Sequence, residues 1–172
     1  MVECKESILT SNRKFLWLLT FYQTGPNGLF IFYQVFNLIL QSAKYKNIDY
    51  VQLCKVHDQA RMQELIVGNA VDLYAPLEVA VYKEELFSET IYVAVIDSKI
   101  VGFVAFRENE LGYIYVLNGF QGRGIGGKLL DTVIPCLERP AFLEVFSTNI
   151  KAKRLYRSRG FVEETKEKMI LH

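Results

Sequence analysis

Residues 120–131 read FQGRGIGGKLLD, and their glycines fit more than one phosphate-binding pattern. Gly122, Gly124 and Gly127 satisfy the dinucleotide fingerprint G-x-G-x-x-G. Gly122, Gly127 and Lys128 also come within one residue of the triphosphatase loop G-x-x-x-x-G-K-[ST]. The sequence on either side of this stretch decides which pattern has a function.

The neighbouring residues disfavour both patterns. Leu129 stands where the triphosphatase loop needs a serine or threonine hydroxyl to hold magnesium. The dinucleotide fingerprint opens the first strand–helix unit of a large parallel sheet, but only 45 residues follow Gly127. Residues 117–121 also separate the preceding strand from the first glycine, where the dinucleotide turn should be tight. A glycine-rich turn that only starts a helix is the simple structural alternative.

The composition indicates one globular domain. The chain has 172 residues, of which 51% are hydrophobic, and this is enough for a single core. The formal net charge of +1 provides no bulk attraction for nucleic acid, so no nucleic-acid partner is expected. The cysteines, Cys4, Cys54 and Cys136, include no CxxC pair. They also share no metal-ligand spacing with His57 or His172, so no metal site is predicted.

The N-terminal part is unusually apolar, because residues 15–40 contain no charged side chain. Gly25, Pro26 and Gly28 divide this stretch into pieces shorter than the roughly 20 apolar residues of a membrane-spanning helix. No convincing small-residue cleavage site follows, so a secretory signal is not expected and we predict a cytoplasmic protein. Packing of this stretch on the domain or on a partner is favoured over membrane-surface contact through it or no folding role, and a homodimer stays open.

Hydrophobic periodicity predicts the elements that precede the glycine stretch. They are a strand at 38–43, helices at 47–66 and 77–87, and three antiparallel strands at 91–96, 100–108 and 111–117. Asn47 is the predicted N-cap of the first helix.

The glycine stretch is followed by a second group of predicted elements. Pro135 should shorten the helix that begins after the glycines. The remaining elements are a strand at 141–147, a helix at 150–159 that Gly160 ends, and two short strands around Phe161 and Met169. Together these patterns predict a mixed α/β layer fold.

Two segments in this order resemble the signatures of the GNAT superfamily, the N-acetyltransferases that depend on acyl-coenzyme A. In the first, YIYVLNGFQGRGIGGKLLDTV (113–133), the family pattern Q/R-x-x-G-x-G/A is met by Gln121, Gly124 and Gly126. In the second, LEVFSTNIKAKRLYRSRGF (143–161), the pattern N-x-x-A-x-x-x-Y-x-x-x-G-F is met by Asn149, Ala152, Tyr156, Gly160 and Phe161.

The resemblance covers about residues 37–172 and leaves 1–36 as an N-terminal extension. It implies a single domain with a mixed central sheet and helices on both faces. It also implies acetyl-CoA as co-substrate, without a metal, held between the strands at 111–117 and 141–147. The implied cofactor-binding residues are Tyr115, Val116, Gln121, Gly122, Arg123, Gly124, Ile125, Gly126, Gly127 and Asn149. Glycine loops followed by a helix suit a pyrophosphate, because exposed main-chain N–H groups and the helix dipole both favour anions.

The resemblance also implies a catalytic role for Tyr156, whose hydroxyl would protonate the departing thiolate; a core aromatic is the alternative. A lysine-like amine must lose a proton before it attacks, which costs more than about 4 kcal/mol at pH 7. Glu110 is the candidate general base and Glu108 the second candidate. The family often places its acid nearer the centre of this strand, where this chain has Gly112 and Tyr113. A proton path through water, with both glutamates as ordinary turn residues, is an equal alternative.

The resulting hypothesis is an N-acetyltransferase that moves an acetyl group from acetyl-CoA directly to the amine of a small molecule or peptide. A catalytically silent acyl-CoA-binding regulatory module is the alternative. The sequence shows no carboxylate cluster diagnostic of a polycationic acceptor. Five basic residues in the last predicted helix are expected to form a solvated face: Lys151, Lys153, Arg154, Arg157 and Arg159.

Overall fold

The computed structural model describes residues 41–172. The strands are β1 (Gln41–Lys44), β2 (Thr90–Ile96), β3 (Lys99–Arg107), β4 (Glu110–Val116), β5 (Ala141–Glu144), β6 (Val162–Glu163) and β7 (Lys168–Leu171). The α-helices are α1 (Tyr50–Gly68), α2 (Lys83–Ser88), α3 (Ile125–Val133) and α4 (Ile150–Arg157). The apolar stretch at 15–40 and the first part of the strand predicted at 38–43 lie outside the described residues.

One sheet carries all seven described strands, in the order β1-β2-β3-β4-β5-β7-β6. Its neighbours are antiparallel except β4 and β5, which are parallel. The predicted meander of three strands is therefore confirmed as β2, β3 and β4. Asp97 and Ser98 make its first turn with φ values of 48° and 62°, a conformation in which two-residue hairpin turns match the twist of the strands.

Helices pack on both faces of this sheet, as predicted. The hydroxyl of Tyr115 on β4 donates a hydrogen bond to Glu64 on α1. On the other face, Leu129 of α3 contacts Gly102 of β3. Because neighbouring residues of a strand point to opposite faces, these contacts place α1 and α3 on opposite sides. Tyr156 and Phe161 belong to the same hydrophobic core, at the α4 end of the domain.

The helix boundaries correct two predictions. Asn47 is not an N-cap: residues Asn47–Asp49 form a short 3-10 turn and Asp49 occupies the cap position of α1. The helix predicted at 77–87 is shorter, because a 3-10 turn at Leu77–Val79 precedes α2. The effect of Pro135 is confirmed, since α3 ends at Val133 and continues as the 3-10 turn Ile134–Cys136.

Two irregularities of β4 shape the site. β4 and β5 are paired at a single position, Glu110 with Phe142, and the strands separate beyond it. On its other edge, β4 pairs Tyr113 with Ala105 but Leu111 with Phe106, so Gly112 is the extra residue of a β-bulge. Within residues 41–172, no helix has the length and apolar character needed to cross a membrane.

Candidate active site

A cavity of about 530 Å³ lies where β4 and β5 separate, and most of the predicted site residues line it. Its walls come from α1, the end of β4, the glycine loop, the end of β5 and α4. The predicted residues that line it are Tyr115, Val116, Gln121, Gly122, Gly124, Ile125, Gly126, Gly127, Asn149 and Tyr156. Arg123 and Glu110 do not line this cavity.

The glycine loop offers a row of free donors. Among the described residues, no main-chain N–H from 122 to 127 donates a hydrogen bond, and the next bond of the ladder runs from Lys128 to the carbonyl of Gly124. Gly122 and Gly124 have φ values of 75° and 79°, which non-glycine residues rarely adopt. This backbone and the N-terminus of α3 together form an anion-binding site of the kind that holds phosphates.

Gln121 holds the loop in place rather than pointing freely into the cavity. Its Nε2 donates to Gln63 on α1 at 2.8 Å and to the carbonyl of Val116 at 3.1 Å. Its Oε1 accepts from Lys151 on α4 at 2.6 Å. One side chain therefore joins the loop to β4 and to the helices on either side of the cavity.

The edge of β4 that faces β5 supplies further main-chain groups. Leu117 N–H donates to the carbonyl of Val101 at 2.9 Å, so the alternation of an antiparallel pair turns the main chain of Tyr115 toward β3 as well. The main-chain groups of Ile114 and Val116 then face the gap beside β5. Ile114 is a site residue that the family pattern did not indicate, and the alternation of hydrogen bonds along β4 would have revealed it.

Asn149 and Tyr156 lie on the same side of α4. Asn149 is the N-cap of that helix, and its side-chain oxygen accepts the N–H of Ala152 at 3.1 Å. Tyr156 is only 7% exposed and packs edge-on against Phe161, with ring centroids 6.0 Å apart. Burial, and to a smaller extent the charge of Glu64, raise the pKa of Tyr156, so its hydroxyl keeps its proton at neutral pH.

The basic residues of α4 are mostly engaged with protein groups. Lys153 is 4% exposed and pairs with Glu163, which Arg157 also contacts. Arg159, just beyond the end of α4, pairs with Asp131 at 3.1 Å. The prediction of a solvated face is therefore wrong for Lys153, whose ammonium is buried and forms an ion pair with Glu163. Arg123, in the glycine loop, does not line the first cavity; its guanidinium lies over the ring of Phe120.

A second cavity, of about 390 Å³, adjoins the first. Four residues line both cavities: Glu64, Tyr115, Glu144 and Val145. The second cavity is strongly acidic, since six glutamates line it: Glu64, Glu85, Glu89, Glu110, Glu144 and Glu167. Arg61 is its one basic lining residue within the described part of the chain. The structure thus brings together a carboxylate cluster that is scattered in the sequence.

The two glutamates predicted as candidate bases are placed differently. Glu110 lines the second cavity and pairs with Arg107 at 3.2 Å. Glu108 lies in the turn between β3 and β4, with a φ of 43°, and lines neither cavity. Glu89 was not predicted at all, yet its carboxylate lies over Gly112, where the family often has its acid. The signal available in the sequence was the glycine itself, which marks a close approach to a strand.

Comparison with known proteins agrees with this geometry. Residues 87–163 match the family model described as the acetyltransferase (GNAT) domain. The chain is 25% identical over 125 residues to the uncharacterized N-acetyltransferase YafP of Escherichia coli, an alignment that covers 71% of this chain and 81% of YafP. An uncharacterized N-acetyltransferase of Archaeoglobus fulgidus is 39% identical over 83 residues, which cover 40% of this chain and 56% of that protein.

Solved structures share the fold. The crystal structure of the PaiA N-acetyltransferase of Thermoplasma acidophilum, in complex with coenzyme A, superposes with a TM-score of 0.58 at 19% identity. The superposition covers 76% of this chain and 96% of the Thermoplasma chain. Residues 87–163 therefore carry a GNAT acetyltransferase domain, and the N-acetyltransferase relatives and the shared fold support an acyltransferase enzyme.

Proposed function

We propose that this protein transfers the acetyl group of acetyl-CoA directly to the amine of a small molecule or peptide. One observation carries the proposal: the unpartnered N–H groups at 122–127 border a cavity that runs along an unpaired strand edge. A pyrophosphate needs the first feature and an extended, amide-bearing arm needs the second. The coenzyme A complex of the Thermoplasma neighbour supports the same donor.

The chain's own groups fit the parts of this donor. The N–H groups from Gly122 to Gly127 would hold the pyrophosphate. The main-chain groups of Ile114 and the N–H of Val116 would pair with the pantetheine arm or its thioester carbonyl, because they face the gap beside β5. A donor aimed at that carbonyl stabilises the negative charge that develops on its oxygen during attack. Asn149 keeps its Nδ2 for the cofactor while its oxygen caps α4.

The reaction needs an acid for the leaving sulfur. The amine nitrogen forms a bond to the thioester carbon, and the carbon–sulfur bond then breaks to leave a thiolate. Tyr156 lines the donor cavity, and among the described residues its hydroxyl makes no hydrogen bond. Since burial raises the pKa of this phenol, it remains a donor at all physiological pH values. We assign it the hydrogen bond to the departing sulfur.

The test is an acetyl-CoA titration by calorimetry together with an assay of thiol release on a panel of amines. Wild-type protein should bind acetyl-CoA and release thiol with at least one amine above the rate without amine. Binding with no thiol release on any amine would overturn the proposal in favour of a silent binding module.

Tyr156→Phe tests the assigned acid in the same assay. Loss of a hydrogen bond to a charged group should lower kcat roughly tenfold to a hundredfold, with unchanged acetyl-CoA affinity. Tyr92→Phe is the matched control, since Tyr92 stacks on Phe106 and lines neither cavity. Equal kcat values for the two variants would remove Tyr156 from the mechanism.

A further inference from the structure

The acidic second cavity contains one buried carboxylate oxygen that lacks a partner. Glu89 is 9% exposed, and within the described residues its Oε2 is buried without a hydrogen bond. A buried polar group without a partner is strongly unfavourable, and functional groups are the usual exceptions. Three of the other acidic groups have partners, since Glu64 accepts from Arg61 and Tyr115, and Glu85 and Glu110 share Arg107. The remaining two, Glu144 and Glu167, are exposed to solvent.

The backbone of β4 is shaped to receive this carboxylate. Gly112 is the extra residue of the bulge, and a Cβ there would lie 2.7 Å from Oε1 of Glu89 and 2.8 Å from Oε2. No other residue type would leave the carboxylate in this position. Glu89 itself follows α2 as its C-cap, so it reaches the centre of β4 from another part of the sequence.

We propose that the second cavity is the acceptor site, that it binds an aliphatic amine as its ammonium ion, and that Glu89 is the general base that removes the proton. This assignment rests on the proposed acetyl transfer. An ammonium N–H would supply the hydrogen bond that Oε2 lacks. The shared lining of the two cavities, at Tyr115 and Val145 among others, brings the acceptor next to the acetyl donor.

The charge of the cavity favours a cation. Six carboxylates line it against one lining guanidinium, that of Arg61, which Glu64 neutralises at 2.7 Å. Arg107, outside the lining, offsets one further charge through Glu85 and Glu110, so the cavity stays acidic. Within residues 41–172, no three carboxylate, imidazole or thiol groups converge in a way that could hold a metal ion. An aliphatic amine is a cation before it reacts, and this charge suits the acidic lining.

The protonation of Glu89 suits a base that works near neutrality. The pKa of Glu89 is raised to about 7: burial is the largest cause, Arg107 acts in the opposite direction, and the charges of Glu110 and Glu85 contribute to the rise. A base is most effective when its pKa is near the working pH. The ionisable groups around it are Glu85 on α2, Arg107 on β3, Glu110 and Tyr113 on β4, and Arg61 on α1.

The ammonium loses two protons in the reaction. The ammonium gives one proton to the carboxylate of Glu89, which releases it to solvent. The free amine forms the nitrogen–carbon bond, and the carbon–sulfur bond breaks. The second proton lost by nitrogen replaces the one that sulfur receives, so the products are the acetamide, free thiol and one solvent proton.

Glu89→Gln keeps the shape of the side chain and removes the base. We expect kcat to fall about a hundredfold or more, which is the usual contribution of a general base. The rising limb of kcat with pH, centred near pH 7 in the wild type, should disappear. Acetyl-CoA affinity, which the first cavity sets, should stay unchanged and shows that the variant is folded. Glu84→Gln is the control, because Glu84 is an exposed neighbour on α2 outside both cavities.

The acceptor itself provides a second readout. An amine whose own pKa lies below 7 is already deprotonated at neutral pH, so Glu89→Gln should lose much less activity on it than on an ordinary alkylamine. Glu110→Gln serves for comparison, since it changes the charge of the same cavity without removing the base. We expect Glu110→Gln to raise the KM of the amine a few-fold and to keep the rise of kcat with pH.

A matched pair of acceptors tests the charge preference. A four-carbon diamine and the ω-amino acid of the same length differ only in whether the far end is an ammonium or a carboxylate. The diamine should have a kcat/KM at least tenfold higher, and equal or better use of the amino acid would overturn the cationic acceptor.

The outcomes separate the two proposals. A wild-type protein without activity on any amine overturns the acetyl transfer and the base together. If the wild type is active and Glu89→Gln keeps both its kcat and the rise of kcat with pH, only the role of Glu89 as general base is overturned.

Discussion

The two adjoining cavities are built in different ways. The first cavity, which we propose holds the acetyl donor, depends on main-chain groups from two short segments, the glycine loop at 121–127 and the start of α4, with the end of β4 beside them. The second cavity, which we propose holds the acceptor, depends on side chains from α1, α2, β4 and β5, which are far apart in the sequence. Main-chain recognition needs a fixed local conformation, whereas side-chain recognition needs only that distant residues meet. Main-chain recognition is therefore visible as sequence motifs, whereas a site made of side chains can change by single substitutions.

The largest effect that separates the two cavities is expected from Gly112→Ala. A Cβ at this position would lie 2.7 Å from Oε1 of Glu89, closer than real contacts allow, so the carboxylate must move away from β4. We expect kcat to fall by about a hundredfold, as for loss of the base. Acetyl-CoA affinity should not change, because Gly112 lines only the second cavity.

Gly119→Ala is the control for this variant, since a Cβ at Gly119 has open space around it. Both variants are compared by steady-state kinetics and by calorimetric titration with acetyl-CoA. A Gly112→Ala protein with wild-type kcat would show that the position of Glu89 has no catalytic importance.

The next effect concerns stability. Because the pKa of Glu89 is raised from 4.5 to about 7, the folded protein holds a proton over this range that the unfolded chain releases. The stability that this proton contributes is complete below about pH 4.5 and is lost as the pH rises through about 7. Glu89→Gln does not ionise, so it should be more stable than wild type by about 2 kcal/mol at high pH.

Urea unfolding near pH 5 and near pH 8 measures this difference, with Glu84→Gln as the exposed control. The gain should appear at the higher pH and be small at the lower one. A residue whose removal abolishes turnover and stabilises the fold is what a functional site predicts. A Glu89→Gln variant that is less stable than wild type at both pH values would instead assign Glu89 a structural role.

The fold could be predicted from the sequence wherever local chemistry determines an element. Alternating apolar residues gave β2, β3 and β4, and Pro135 marked the end of α3. The errors arose where tertiary context decides. Asn47 has the side chain of an N-cap, but the chain makes a 3-10 turn first, so Asp49 occupies the cap. The separation of β4 from β5 is a property of the sheet and has no local pattern.

The site divides in the same manner. The residues of the glycine loop and of α4 were predicted because their spacing is fixed by one loop and one helix. Glu89 could not be predicted, because it lies in no motif and meets Gly112 only when α2 and β4 pack together. Glu110 was the natural candidate from its position at the start of β4, but Arg107 pairs with it in the folded protein. Sequence spacing therefore predicted residues that line the first cavity, whereas the residues that line the second cavity meet only through the packing of side chains.

The smallest effect is expected at Gly124, whose backbone conformation shapes the glycine loop of the first cavity. Gly124 has a φ of 79° at the N-cap of α3, and a Cβ there has open space. Gly124→Ala therefore introduces backbone strain of roughly 1–2 kcal/mol without a steric clash. Because acetyl-CoA binding requires the strained loop conformation, its affinity should weaken about tenfold, with the KM of the acceptor unchanged.

Gly119→Ala is again the matched control, since its Cβ also has open space while its φ is not positive. Gly124→Asn should fall between the two, because asparagine tolerates a positive φ better than alanine does. Calorimetric titration with acetyl-CoA orders the three variants. Equal affinities would mean that the loop does not hold the donor through its backbone conformation. The first cavity would then not differ from the second in binding through main-chain groups.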